Sequence, residues 1–220
     1  MAMVVPAILE DDWSSFKNRL EAIMKIPGVK RIQVDFSDGQ FTAHKDLQIS
    51  ELDILNPAFE WEAHLMVKDP RAYFFDAKLV GFTTVLFHYE AVSDKSEIPK
   101  LAEELDALKL TAGLVINPET SIAEVTPYLD SFKQISVMGI EPGEKGQPEL
   151  PGTVEKVKEL RKAYKNGILE VDGGVKISNI KELSAAGADL LIANSALFDT
   201  GLEGEKTPAD NFRDLSNAIL

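Results

Sequence analysis

The sequence predicts a single (β/α)8 barrel, the TIM-barrel class, formed by residues 1–220 as one domain. Eight short apolar runs alternate with helix-like runs, which is the pattern of a parallel sheet covered by helices. No linker interrupts that alternation. The Gly pair falls late, in Leu169-Glu170-Val171-Asp172-Gly173-Gly174-Val175, followed by a second apolar run that stops abruptly, Leu191-Ile192-Ala193-Asn194-Ser195. Two such turns near the end of a chain of this length suggest an anion grip at the mouth of a barrel. An open doubly wound sheet would usually carry a Gly-rich turn after its first strand, but Leu9-Glu10-Asp11-Asp12 stands there.

The elements follow in order. The first strand is predicted at Val4–Leu9, and Asp11 or Asp12 caps a helix carrying Trp13, Phe16, Leu20, Ile23 and Met24 at helical spacing. The second strand is Arg31–Phe36, followed by a polar stretch to Pro57. Strand three is Phe59–Val67, and Asp69-Pro70 opens its helix with a cap and a first-turn proline. Strand four is Thr83–Glu90, with a helix at Glu97–Lys109 placing Leu101, Leu105 and Leu108 on one face. Strand five is Ala112–Ile116, with a short helix at Ser121–Leu129. Strand six is Gln134–Met138, and after a loop a charged helix runs to Tyr164. Strand seven is Ile168–Val171, with a helix at Ile177–Ala186 closed by Gly187. Strand eight is Leu190–Ala193, and the last helix starts at Thr207-Pro208.

Composition narrows the partners. The formal net charge of −13 repels a polyphosphate backbone, so nucleic acid is not expected, although a small phosphorylated ligand remains compatible. There is no Cys, which rules out disulfides, thiolate metal sites and Cys nucleophiles and fits a cytoplasmic location. No apolar run approaches the roughly 20 residues that span a bilayer, and Met-Ala-Met-Val-Val-Pro lacks the marks of a signal peptide.

Residues two apart on a strand share a face, so Gln33 pairs with Asp35 and His64 with Met66. Asp35, His64 and Asp172 all fall near the C-terminal ends of strands, where barrels build their sites. Strands two and seven lie three apart around an eight-membered ring, which sets the two carboxylates across the mouth. Opposed carboxylates around a His-supported metal suit proton removal from one face of a carbon and return on the other. Taken singly, each residue has a plainer role. Asp12 and Asp69 are expected as caps, Asp38 before Gly39 is equally a turn residue, and His44 is expected to be solvated. His88 is expected as a hydrogen-bonded core residue, and Met66 and Met138 as core, with Met138 near the pocket.

Several segments resemble the ribulose-phosphate 3-epimerase family in the family's own order. They are Pro6-Ala7-Ile8-Leu9, Val34-Asp35-Phe36-Ser37-Asp38-Gly39-Gln40-Phe41, Ala63-His64-Leu65-Met66-Val67, Phe87-His88-Tyr89-Glu90-Ala91 and Gly113-Leu114-Val115-Ile116-Asn117-Pro118. Val137-Met138-Gly139-Ile140-Glu141-Pro142-Gly143, Gly146-Gln147, Val171-Asp172-Gly173-Gly174-Val175 and Ala193-Asn194-Ser195-Ala196 complete the set. The resemblance implies interconversion of D-ribulose 5-phosphate and D-xylulose 5-phosphate at C3. It implies a divalent metal (Zn, Fe or Mn) held by two His and two Asp, with Asp35, His64 and Asp172 on three of those positions. Asp35 and Asp172 would be the acid/base pair, and the metal would polarise the C2 carbonyl. Met66 and Met138 would line the reacting carbon, while Gly143, Gly146, Gly174, Val175, Asn194 and Ser195 would grip the phosphate.

The departures are specific. Gln33 stands where the family has its first metal His, and an amide oxygen is a poor ligand for zinc-type metals. Ala7 replaces a substrate-contacting Ser, Asn194 replaces a Gly, and the phosphate loop reads Gly143-Glu144-Lys145-Gly146. In that loop Lys145 would favour phosphate and Glu144 would oppose it. Two function classes therefore stay open. One is an epimerase with a three-ligand metal site, the metal weakly held. The other is a phosphosugar-binding or regulatory barrel that has lost the metal and the reaction. A changed reaction of the aldol or decarboxylation kind ranks below both, because the Asp-x-Lys-x-x-Asp signature of such barrels is absent around Asp35. The expected partner is a sugar phosphate, and a homo-oligomer is compatible with the sequence.

Overall fold

The computed structural model describes residues 2–143, 146–198 and 206–219. Eight parallel strands close into a barrel in chain order: β1 (Met3–Ile8), β2 (Arg31–Ser37), β3 (Glu60–Met66), β4 (Thr84–His88), β5 (Thr111–Ile116), β6 (Gln134–Met138), β7 (Ile168–Asp172) and β8 (Leu190–Ala193). β8 returns to β1 with Met3 opposite Leu190 and Pro6 opposite Ala193, so the sheet has no free edge. The outer helices are α1 (Trp13–Met24), α2 (Phe74–Val80), α3 (Ile98–Ala107), α4 (Ile122–Val125), α5 (Thr153–Ala163), α6 (Ile180–Ala186), α7 (Ser195–Phe198) and α8 (Pro208–Ala218).

Local chemistry sets most boundaries. Asp12 caps α1, its Oδ1 accepting from the N–H groups of Ser14 and Ser15 at 2.8 and 3.0 Å, a contact worth about 1 kcal/mol. Thr207 and Asp210 form a reciprocal capping pair at the start of α8. Gly187 ends α6 in the left-handed region. Asp69 corrects the cap expected of it: its side chain makes no capping bond, and Pro70–Tyr73 is a 3₁₀ turn leading into α2. A proline-led turn is already pre-set in φ and has one fewer N–H to satisfy. α6 begins three residues later than the apolar spacing suggests. The side chain of Asn179 takes Lys176 N–H (2.8 Å) and donates to Gly174 O (2.9 Å), which fixes the preceding turn.

The main apolar core lies between the sheet and the helices, around Trp61, Phe16, Phe36, Phe82 and Phe87. Inside the barrel the described residues form two small apolar groups: Val5, Ala7, Leu190 and Ile192, and Leu86, Val115, Met138 and Ile140. Between them the interior is polar. Its lower layer holds Arg31, Glu62, Gln134 and Glu170. Gln134 Nε2 donates to Glu62 (2.7 Å) and to Glu170 (2.9 Å), and Arg31 reaches Glu62 at 3.2 Å. Burial pushes the Glu170 carboxyl well above the usual carboxylate range, and the Glu62 charge beside it adds to the rise. Each of these residues sits two positions before one in the layer above, so the polar stack leads directly to the barrel mouth.

Candidate active site

The strand register brings the predicted cluster together. Asp35 lies opposite His64 in the β2–β3 pairing, and Asp172 lies opposite Met138 in the β6–β7 pairing. One oxygen from each of Asp35 and Asp172 and one ring nitrogen of His64 all fall within 4.8 Å of one another. His64 Nδ1 stands 3.1 Å from Asp35 Oδ1 and 3.0 Å from Asp172 Oδ2. Gln33 Nε2 donates to the same two oxygens, at 2.7 Å each. One amide and one imidazole thus bridge a pair of carboxylates that would otherwise repel.

Electrostatics follow from burial and these contacts. Burial pushes the Asp35 carboxyl up, and the Asp172 charge adds to it. Hydrogen bonds from His64 and Gln33 pull it back, and it settles at about 6. For His64 burial disfavours the charged ring, but hydrogen bonds and charge from Asp172 and Asp35 outweigh burial and hold it up to about 10. With no cation between the carboxylates, these contacts favour the charged form of His64, which balances part of their charge.

The donor set bears on a divalent metal. Two carboxylate oxygens and one imidazole nitrogen converge, which is the number of protein ligands in many catalytic metal sites. The Gln33 amide nitrogen occupies the gap between the carboxylates, while its Oε1 is buried with no hydrogen-bond partner. Turning that amide would present the orphaned oxygen to a cation as a fourth donor. Asp35, His64 and Asp172 thus fit a metal, and Gln33 fits it in its turned orientation only.

A cavity opens beside the cluster, running from Ala7, Leu9, Asp35 and Asp172 to Gly146, Gly173, Gly174, Val175, Asn194 and Ser195, with Ile140 and Ile192 also on its wall. Among the described residues Met66, Met138 and Gly143 do not line it. Met66 and Met138 are buried at the ends of β3 and β6. Gly143, at φ +96°, packs so closely on Thr42 that an added Cβ would come within 2.8 Å of it. Glu144 and Lys145 lie outside the described residues.

Gly174 shows why a glycine is needed at this wall. Its φ is +71°, and a Cβ there would come within 2.6 Å of the Glu149 backbone. Left-handed geometry costs an L-residue about 1–2 kcal/mol before any clash. Gly174→Ala should therefore lower the melting temperature by about 2–8 °C, and a thermal melt checks it.

Sequence reasoning missed what stands behind His64. His88 Nε2 lies 2.9 Å from His64 Nε2, and His88 Nδ1 lies 2.8 Å from Asn117 Oδ1. His88 is a hydrogen-bonded core residue, as expected, but its partner belongs to the carboxylate cluster. The available signal was its place at the end of β4, the strand adjacent to His64. Asp38 proves to be a turn residue, accepting from the N–H groups of Gln40, Phe41 and Lys68 at 2.8–2.9 Å.

Fold and site together define a (β/α)8 barrel with a carboxylate pair, Asp35 buried and Asp172 half-buried, and a candidate cation site at its C-terminal mouth. Comparison with known proteins places it further. The model of the ribulose-phosphate 3 epimerase family matches residues 3–198. The ribulose-phosphate 3-epimerase of Schizosaccharomyces pombe is 27% identical over 224 residues, covering 100% of this chain and 94% of that protein. The ribulose-phosphate 3-epimerase of Escherichia coli K12 is 38% identical over 142 residues, covering 63% of this chain and 62% of that protein. Among solved structures, KGPDC from Streptococcus mutans aligns with a TM-score of 0.73 at 14% identity, over 99% of this chain and 97% of that one. A 3-hexulose-6-phosphate synthase from Salmonella typhimurium aligns with a TM-score of 0.71 at 16% identity, over 99% of this chain and 98% of that one. At these identities the structural matches show the barrel fold. The chain belongs to the ribulose-phosphate 3-epimerase family. Among the described residues no helix is long and apolar enough to cross a membrane.

Proposed function

We propose that this chain epimerises a ketose phosphate at C3, with D-ribulose 5-phosphate and D-xylulose 5-phosphate as the pair. The observation that carries the reading is the convergence of Asp35 and Asp172 on one point at the mouth, from strands three apart around the ring. Inversion at carbon requires a proton to leave on one face and arrive on the other, so it requires two groups that each can hold it. Asp35, raised by burial to about 6, is matched to accept and release a proton near neutrality. Asp172 is less enclosed and faces it across the cluster. His64 and Gln33 hold both carboxylates in place through the bonds described above. A divalent cation held by Asp35, His64 and Asp172 would supply Lewis-acid stabilisation of the oxyanion that develops when the C3 proton leaves, worth several kcal/mol.

The phosphate end of the reading rests on the cavity. Gly146 has open space where a Cβ would stand, which lets an anion approach the backbone closely, and Asn194 and Ser195 line the same cavity where β8 passes into the short helix α7. Ala7 stands on the same cavity and brings no hydroxyl to it.

One observation favours the second reading, a phosphosugar-binding barrel without turnover: the Gln33 amide fills the gap a cation would need. The two are separated by adding D-ribulose 5-phosphate to protein loaded in turn with Mn²⁺, Fe²⁺ and Zn²⁺ and following D-xylulose 5-phosphate. Formation of the epimer supports catalysis. Binding of the sugar phosphate with no epimer from any loaded form supports the second reading.

A further inference from the structure

His88 is fully buried at the end of β4, and its two ring nitrogens face different chemistry. Nδ1 faces acceptors alone: Asn117 Oδ1 at 2.8 Å and Glu90 Oε2 at 3.5 Å. The Asn117 amide is oriented independently, since its Nδ2 points to the Glu119 carboxylate at 3.4 Å, which leaves Oδ1 toward His88. Glu90 is held by the Asn117 backbone N–H at 2.9 Å and by the Thr120 hydroxyl. A proton therefore belongs on His88 Nδ1.

The other side of the ring follows. Two imidazole nitrogens 2.9 Å apart share one proton between them. The Phe41 ring packs 4.7 Å from the His88 ring, so a second charge on His88 would lack water. With Nδ1 protonated and the ring neutral, His88 Nε2 is an acceptor, and His64 Nε2 must be the donor. That fixes one proton on His64 Nε2 and leaves Nδ1, the atom aimed at Asp35 and Asp172, to carry the second proton of the charged ring or, once that proton leaves, a lone pair.

We propose that His88, backed by Asn117 and Glu90, is a positioning residue that keeps a proton on His64 Nε2 and reserves His64 Nδ1 for the carboxylate pair and any cation between them. The inference deepens the epimerase reading, but the ring chemistry it asserts can be measured without turnover. A wrong tautomer on His64 would place an N–H where a lone pair is needed, as when an outer hydrogen bond to a liganding His is removed.

The protein has three histidines, His44, His64 and His88, so long-range ¹H–¹⁵N spectra of the rings can be assigned by single substitution. The expected spectrum shows His88 neutral with its proton on Nδ1 and His64 with a slowly exchanging proton on Nε2. His88→Phe keeps an aromatic ring but removes the acceptor. It should abolish the protected His64 Nε2–H signal and lower kcat by about 10–100-fold, with KM for D-ribulose 5-phosphate little changed. His88→Gln carries an amide oxygen able to accept the same proton and should restore most of both readouts. A wild-type His88 protonated on Nε2 would overturn the proposal, as would His88→Phe and His88→Gln behaving alike. If the chain turns over no substrate, the epimerase reading fails while the ring spectra still decide this one.

Discussion

Asp172→Asn is expected to abolish interconversion of D-ribulose and D-xylulose 5-phosphates, lowering kcat by about 10²–10⁴-fold, the range of a lost general acid or base. Asp35→Asn should cost as much, because inversion uses both faces and neither carboxylate can replace the other. Both substitutions preserve volume, and the two amides still reach Gln33 and His64, so the barrel should remain folded by circular dichroism. The double variant should be little worse than either single, since groups that act as a unit lose their effect together. The check is kcat by coupled assay on the purified variants. A single variant retaining more than about a tenth of wild-type kcat would show that the lost carboxylate is not a proton carrier.

Gln33→His is expected to raise divalent-metal affinity by about 10–100-fold, more for Zn²⁺ than for Mn²⁺. The physical ground is the donor set. With Gln33 turned, the cation would meet three oxygens and one nitrogen, and carbonyl and carboxylate oxygens suit Mn²⁺ better than they suit zinc. Replacing the amide by imidazole adds a nitrogen ligand and removes the NH₂ that bridges Asp35 and Asp172. Titration calorimetry with each metal reads both affinities. An unchanged ratio of zinc to manganese affinity would show that position 33 does not contact the ion.

The barrel was legible because its signals are local. Apolar runs of strand length, late glycines and caps such as Asp12 and Thr207 are each set by a few neighbouring residues. Asp35, His64 and Asp172 were legible because strand ends in a barrel converge, so position along the strand translates into position in space. His88 was harder to read, since nothing in Phe87-His88-Tyr89 says which ring nitrogen meets His64 and which meets Asn117, just past the end of β5. Glu62, Gln134 and Glu170 resisted for a related reason. Each is a polar residue within a strand, and only closure of the ring lets one amide reach two carboxylates. Asp69 misled because an Asp-Pro pair is as good an opening for a 3₁₀ turn as for an α-helix.

Proton exchange at C3 tests the two-carboxylate reading most directly. Metal-loaded protein is incubated with D-ribulose 5-phosphate in deuterated water, and the C3 resonances of both epimers are followed by ¹H NMR. Deuterium should enter C3 as the second epimer forms, at a rate that falls in Asp35→Asn and Asp172→Asn alike. Sugar phosphate that binds in the cavity yet keeps its C3 proton indefinitely would contradict the carboxylate pair as the machinery of inversion.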